Sequence, residues 1–245
     1  NFGLWNQIDY AETFGGVFDG INSLGTATLD ASGVATFAIS SLDLGDRSIS
    51  ATYPGDGVTA AGVSSSITHV VNQAATSTAL VSSVNPSVVG QSLTFTATVS
   101  VSAPGAGVAS GSVQFFDGAT SLGTGVLDGA GVASLSTSAL ATGTHGVTAV
   151  YGGSASFSGS TSSAVSQVVD RAATSTALVS SVNPSVVGES VTFTATVGVV
   201  APGTGTPSGT VEFFDGATSL GTGVLDGAGV ASLSASAFAP GVHDV

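Results

Sequence analysis

The stretch FFDGATSLGTGVLDGAGVASLS runs from Phe115 to Ser136, and the same letters run again from Phe213 to Ser234. The offset of 98 positions also holds outside this stretch, because Pro184 lies 98 positions after Pro86. A weaker copy lies upstream, where the FDG of residues 18–20 precedes its counterpart by the same offset. A repeat of this length is one folding unit, so the chain is predicted to be an array of domains.

The repeat divides the chain into three copies. Residues 1–73 form a partial first copy whose first 16 residues are divergent, residues 74–171 form a complete second copy, and residues 172–245 form a partial third copy. By position, the first copy is expected to lack the counterparts of the first two strands, and the third copy those of the last strands.

Apolar and polar residues alternate within each copy. In the second copy Leu93, Phe95, Ala97 and Val99 alternate with threonines, a period of two that predicts a half-buried strand. Aspartate–glycine pairs suit tight turns between such strands. The predicted turn residues are Asp117, Gly118, Asp128, Gly129, Asp215, Gly216, Asp226 and Gly227. About seven short strands per copy without a helical period predict an all-β, antiparallel, two-sheet sandwich.

Charge excludes several classes of partner. The chain has two arginines, no lysine and a net charge of −13, so binding to the phosphates of nucleic acid or to an anionic membrane surface is not expected. No apolar run is long enough to predict membrane insertion. Cysteine is absent, so the fold must be held by packing and sheet hydrogen bonds.

Several sequence blocks carry a family resemblance. The blocks TSTALVSSVNPSVVGQSLTFTATV, GSVQFFDGATSLGT and GVASLSTSALATGTHGVTAVYGG, taken in this order and spacing, resemble the bacterial Ig-like domain repeat family. The resemblance covers 74–171, 172–245 and about 17–73. It implies tandem seven-stranded antiparallel Ig-like β-sandwiches in an elongated array, as in large bacterial surface and secreted proteins, including adhesins. It supplies no common catalytic residues.

Candidate chemical sites are few, and each has a structural interpretation. His145 and His243 are interpreted as surface or turn histidines rather than catalytic bases. The aspartates that recur before glycine suggest turns first and calcium ligands second, and these calcium candidates are Asp117, Asp128, Asp215 and Asp226. No catalytic residue and no other cofactor are predicted.

Aromatic residues give one candidate ligand contact. Tyr53 and Tyr151 share a repeat position and are predicted to be core or corner residues. Trp5 lies outside the repeat and is the one aromatic residue proposed to contact a ligand such as a sugar.

The leading functional expectation is a structural, non-enzymatic, extracellular or cell-surface fibre or adhesin stalk. Open edges of the partial copies predict head-to-tail self-association, in which a neighbouring chain or subunit completes them. The partial copies equally fit a segment of a much longer polypeptide. The alternative function is an adhesive or carbohydrate-binding module, with a surface glycan or host partner that the sequence does not identify, bound through loops 102–111 and 200–208. An appendage of an enzyme is the third class.

Overall fold

A computed structural model describes residues 15–245. These residues form strands, turns and loops and contain no helix, so none of them belongs to a helix that could cross a membrane. The described chain divides into two compact units. One contains the residues up to Ala75 together with Ala103–Gly105 and Ala155–Ser158, and the other contains the rest of the chain from Thr76.

The described part of the first copy is a single antiparallel sheet. Strand β1 lies between β2 and β3, and β3 also pairs with β5 and β4. The strands are β1 (Gly16–Asp19), β2 (Asn22–Thr26), β3 (Gly45–Tyr53), β4 (Gly62–Val63) and β5 (Ile67–Val71).

The second copy is built from two sheets. One has the order β10-β9-β12-β14-β7, with β13 also paired to β12, and the other has the order β11-β8-β6. The strands are β6 (Thr76–Ser82), β7 (Ser87–Val88), β8 (Leu93–Val101), β9 (Ser112–Asp117), β10 (Thr120–Val126), β11 (Val132–Thr137), β12 (Gly143–Tyr151), β13 (Ser160–Thr161) and β14 (Val165–Asp170).

The alternating residues of the two sheets share one core. Leu93, Phe95, Ala97 and Val99 of β8 are all buried, as the period of two predicts. Facing strands supply the buried residues Val113 and Phe115 of β9 and Val147, Ala149 and Tyr151 of β12. Of the intervening threonines of β8, Thr94 and Thr96 lie opposite serines of β11, and the hydroxyl oxygens of Thr94 and Ser136 are 2.8 Å apart. Apolar burial on one face and hydroxyl pairing on the other explain why this low-charge sequence forms sheets.

The third copy repeats strands β6 and β8–β11 of the second. Strands β15 (Thr174–Ser180), β16 (Val191–Val199) and β19 (Val230–Ala235) form one sheet, and β17 (Thr210–Asp215) and β18 (Thr218–Val224) form a hairpin. Its core comprises Val191, Phe193, Ala195 and Phe213, with the ring of Phe238 packed edge-on against Phe193 at 5.8 Å between centroids.

The all-β prediction is confirmed. In the second copy seven strands have six residues or more and two have two residues. The sheets are antiparallel except at β7, which pairs parallel with β14 through Val169 and Ser87. After β6 the chain crosses to the edge of the other sheet, and because of this crossing β7 runs parallel to β14.

Candidate functional site

The polar residues of the copies form three kinds of site, of which two recur in each copy and the third is described in the second copy. The first is the loop after the return strand of the hairpin, which starts at Asp128 in the second copy. One carboxylate oxygen of Asp128 accepts the backbone N–H groups of Ala130 at 2.8 Å and Val132 at 2.9 Å. These bonds, that from Val132 first, lower the pKa of Asp128 below its ordinary value of 3.8. Asp30 and Asp226 make the equivalent bonds in the other copies.

The left-handed residue of this loop is not the glycine of the predicted pair. Gly131, with φ of 75°, takes the positive φ, whereas Gly129 does not. A Cβ at position 131 would lie 2.7 Å from the carbonyl oxygen of Val99, so both conformation and space require glycine there. Asp226, Gly227 and Gly229 repeat this arrangement in the third copy.

The second site is the hairpin that follows β9. Asp117 is the last residue of β9 and pairs with Thr120, so the two-residue turn consists of Gly118 and Ala119. Gly118 has φ of 54°, and its counterpart Gly216 has φ of 58°. The Asp117 side chain is therefore not needed by the turn itself, and it points to a different partner.

That partner is His145, near the start of β12. Its Nδ1 lies 2.6 Å from Oδ2 of Asp117, and its Nε2 lies 2.9 Å from the carbonyl oxygen of Ala141. The hydrogen bond to Asp117 is the main cause that raises the pKa of His145 above its ordinary value of 6.5, and the Ala141 carbonyl adds to it. The histidine thus ties the hairpin tip to the loop that enters β12.

The third copy repeats this arrangement with the same atoms. Nδ1 of His243 lies 2.6 Å from Oδ2 of Asp215, and Nε2 lies 2.8 Å from the carbonyl oxygen of Ala239. Here the Ala239 carbonyl is the first cause that raises the pKa of His243, and Asp215 is the second. Both histidines were interpreted from sequence as surface or turn residues, and neither ion pair was anticipated.

The first copy has an arginine at the equivalent position. Arg47 lies 98 positions before His145, and its Nη1 is 3.3 Å from Oδ2 of Asp19, the counterpart of Asp117. Its Nε donates to the carbonyl oxygen of Asp43 at 2.9 Å, the counterpart of Ala141. A cation therefore makes the same two contacts with a side chain of different shape. The sequence signal was present, since an aspartate and a basic residue recur 28 positions apart in every copy.

The third site is a buried amide network around Gln167 of β14. Its side chain is fully buried; Oε1 accepts the Ser82 hydroxyl at 2.6 Å, and Nε2 lies within 3.1 Å of the Val84 carbonyl, the Ser87 hydroxyl and the Val168 carbonyl. Asn85 adds two bonds to the same strand, to the Ser166 carbonyl and from the Val168 N–H. The network joins β14 to the chain as it crosses between the sheets.

These contacts describe bracing rather than catalysis. In a hydrolytic triad the histidine nitrogen opposite the carboxylate must face a nucleophile. In both His–Asp pairs that nitrogen faces a backbone carbonyl instead. Neither pair is therefore arranged as a general base.

The metal and ligand candidates are placed as follows. Asp117 and Asp215 are engaged by histidine, and Asp128 and Asp226 by backbone N–H groups. Across residues 15–245 no three histidine, aspartate or glutamate side chains are grouped closely enough to hold a metal ion. Trp5, the candidate ligand contact, lies outside the described residues.

Comparison with known proteins identifies the repeat. The family model described as "Bacterial Ig-like domain (group 3)" matches residues 11–72, 80–170 and 178–245. No curated protein matches the sequence.

Solved structures share only a distant likeness with the chain. The fibronectin(III)-like modules of Clostridium thermocellum CbhA are 17% identical, with a TM-score of 0.32 over 66% of this chain and 79% of that one. The Escherichia coli adhesin FdeC is 19% identical, with a TM-score of 0.25 over 79% of this chain and 66% of that one. The N-terminal eight Ig domains of Down Syndrome Cell Adhesion Molecule are 13% identical, with a TM-score of 0.27; this chain is covered to 93% and spans about a third of that one (34%). At these values the likenesses carry no functional argument.

Proposed function

The chain belongs to the bacterial Ig-like domain family (group 3), and on that premise we propose that it is a structural, non-enzymatic segment of an extracellular bacterial surface protein. In this role the tandem sandwiches act as a spacer or stalk. The observation that carries the proposal is the repetition of the same bracing contacts in successive copies at a constant offset. An Asp-anchored loop, and a hairpin whose aspartate contacts an arginine or a histidine, occur in all three copies.

The composition supports a structural role outside the cell. The core of the second copy is made mainly by apolar residues of β8, β9 and β12, and the chain has no cysteine. The outer faces of the second and third copies carry threonine and serine in place of charged residues, as in the pairs Thr94 with Ser136 and Thr192 with Ser234. A chain without lysine also presents no side-chain amine to proteases that cleave after lysine.

Surface exposure is tested on intact cells that produce the protein. Antibodies raised against the second copy should label unpermeabilised cells, and a protease added outside should remove the label. A cytoplasmic protein of the same cells serves as the control for lysis. Labelling only after permeabilisation would contradict the proposal.

The second candidate function is an adhesive or carbohydrate-binding module. One observation favours it: loops 102–111 and 200–208 differ at several positions, although the adjoining stretches 115–136 and 213–234 are identical. Loops that vary on a common scaffold are typical of ligand-specific surfaces. Screening the chain on a glycan array, with the two loops exchanged as the control variant, distinguishes the roles. Binding that follows the loop would favour the module, and absence of binding would favour the spacer.

Self-association is proposed through the third copy. Val186 and Val187 there are 75% and 71% exposed, whereas their counterparts Val88 and Val89 in the second copy are half-buried beside β14. An open groove of about 550 Å³ lies along these residues, lined by Leu178, Val182, Val186, Phe238 and Val245. In the second copy β13 and β14 cover the equivalent surface.

We propose that this groove accepts the strand Ser160–Asp170 of a second copy of the chain by strand exchange. Refolding at increasing protein concentration should then give dimers and larger species by light scattering. A synthetic peptide of residues 159–171 should suppress them, whereas a scrambled peptide should not. A chain that stays monomeric and binds neither peptide would contradict this assignment.

A further inference from the structure

Arg47, His145 and His243 occupy the same repeat position, and in each copy two neighbouring hydrogen-bond acceptors determine which charge the residue there must carry. Each histidine ring lies between an aspartate oxygen and a backbone carbonyl oxygen, with both distances between 2.6 and 2.9 Å. An ionised carboxylate and a carbonyl are both acceptors, and a neutral imidazole has only one N–H to donate. Both contacts are satisfied only when two protons are present on the histidine–aspartate pair.

The first copy provides an internal comparison. Arg47 reaches the equivalent carboxylate and the equivalent carbonyl, and it also donates to the Leu44 carbonyl. Arginine keeps its charge throughout the range in which histidine titrates. The same two acceptors are thus served by a permanent cation in one copy and by a titratable group in two.

We propose that this position is a cation site in every copy. In the second and third copies the cation is the imidazolium of the histidine, and the brace is lost when the histidine loses its proton. The brace joins the tip of the β9–β10 hairpin to the start of β12 in the second copy, and the matching elements in the third. The first copy keeps its brace. The fold therefore contains two pH-sensitive copies and one insensitive copy in a single chain.

Few other charges lie near the second-copy site. Asp117 is the charged side chain in contact with His145. Strands β10 and β12 and the loop between β11 and β12 contribute no other acidic or basic residue. Gln167 lies opposite His145 on β14, and Asp170 and Arg171 follow at the end of that strand.

The other two sites have additional acidic neighbours. Asp244 follows His243 directly and donates its backbone N–H to Asp215 at 3.2 Å, and Glu212 lies earlier on the same strand as Asp215, where it accepts the Ser219 hydroxyl. The Asp43 carboxylate lies 4.0 Å from Arg47, Asp46 precedes it, and His69 lies opposite it on β5. Acidic neighbours favour the cation in each case.

The direction of the pH effect follows from the sign of the pKa change. Because the folded state raises the pKa of His145 and of His243 above 6.5, their contribution to stability is complete below the unfolded value. It is lost as the pH rises through the higher folded value. Arg47 gives the first copy no such loss in this window.

Hydrogen exchange of the intact chain, followed by mass spectrometry, tests the proposal. Between about pH 5.5 and pH 8.5, and after correction for intrinsic exchange, hairpins β9–β10 and β17–β18 should lose protection. Hairpin β1–β2 should not, and it serves as the matched control within the same molecule. In the double variant H145R/H243R all three hairpins should behave alike. A wild-type chain whose three hairpins respond identically, or a pH step that persists in the double variant, would overturn the proposal.

A second measurement keeps the test independent of how well the arginine variant folds. The ¹⁵N shifts of the histidine rings should show both nitrogens of His145 protonated on the acidic side of its titration. Asp117→Asn should lower the titration midpoint of His145 and leave that of His243 unchanged. Equal midpoints for His145 in the wild type and in D117N would overturn the proposal.

Discussion

Replacing Gln167 by methionine tests the role of the buried amide network. Methionine nearly preserves the length and volume of the side chain, so the substitution removes hydrogen bonds with little change in packing. Gln167 is fully buried; its Oε1 accepts one hydrogen bond, and the two hydrogens on its Nε2 are shared among three acceptors. The free energy of unfolding of the second copy should therefore fall.

The magnitude follows from what each partner keeps. The Val84 carbonyl can still accept the Ser82 hydroxyl at 3.1 Å, and the Val168 carbonyl can still accept the Ser87 hydroxyl at 3.4 Å. Both carbonyls and both hydroxyls thus keep a partner, so the net loss is that of about two hydrogen bonds, at about 0.5–1.5 kcal/mol each. We expect a destabilisation of about 1–3 kcal/mol, within the usual range of single-site effects.

Urea denaturation of the whole chain, with hydrogen exchange of β8 as the local reporter, measures this change. Strand β16 in the third copy gives a reference within the same molecule. Gln114→Met, on the exposed face of β9, is the matched control and should change stability by less than about 0.5 kcal/mol. If Q167M were as stable as Q114M, the network would not contribute as described.

Three further predictions concern the recurring loops. Gly131→Ala should destabilise the second copy by about 1–3 kcal/mol in thermal unfolding, because residue 131 has a positive φ and its new Cβ would lie 2.7 Å from a carbonyl oxygen. Gly129→Ala is the control and should have little effect, because the space around residue 129 is open. Equal effects of the two substitutions would refute the loop assignment. Acidification should weaken the Asp128 and Asp226 loops. Because the folded state lowers the pKa of these two carboxyl groups, they stabilise the fold above pH 3.8, and that stabilisation is lost as the pH falls through their folded pKa. Hydrogen exchange of the Val132 and Val230 amides should then accelerate, and in Asp128→Asn the acid response at Val132 should disappear. Chelation with EDTA should leave the unfolding temperature unchanged, and a fall that added calcium reverses would reinstate Asp117, Asp128, Asp215 and Asp226 as candidate ligands.

Much of the fold is predictable from local pattern. The alternation in LTFTATV places Phe95 and Ala97 in the core, and the stretch VTFTATV of residues 191–197 places Phe193 and Ala195 in the core of the third copy. The alternation also predicts burial of Gln167, a residue type that is usually exposed. Val165, Gln167 and Val169 share the inward face of β14, so the period of two favours burial of Gln167, against the usual exposure of glutamine.

The polar contacts were harder to predict because they depend on strand register. Asp117 meets His145 because β9 pairs with β12, and residues 28 positions apart carry no local signal of that pairing. The placement of the left-handed glycine at 131 likewise depends on how Asp128 folds the loop onto Val132. Comparing charges across the copies would have revealed the first contact, since Arg47 and the two histidines align.

Pulling single molecules from both ends tests whether the chain is a structural array of independently braced sandwiches. The 98 residues from 74 to 171 span about 350 Å when fully extended, so unfolding of the second copy should lengthen the chain in one step of roughly 300 Å. Discrete steps that include one of this size would support the claim. Smooth extension at low force, without discrete steps, would contradict it.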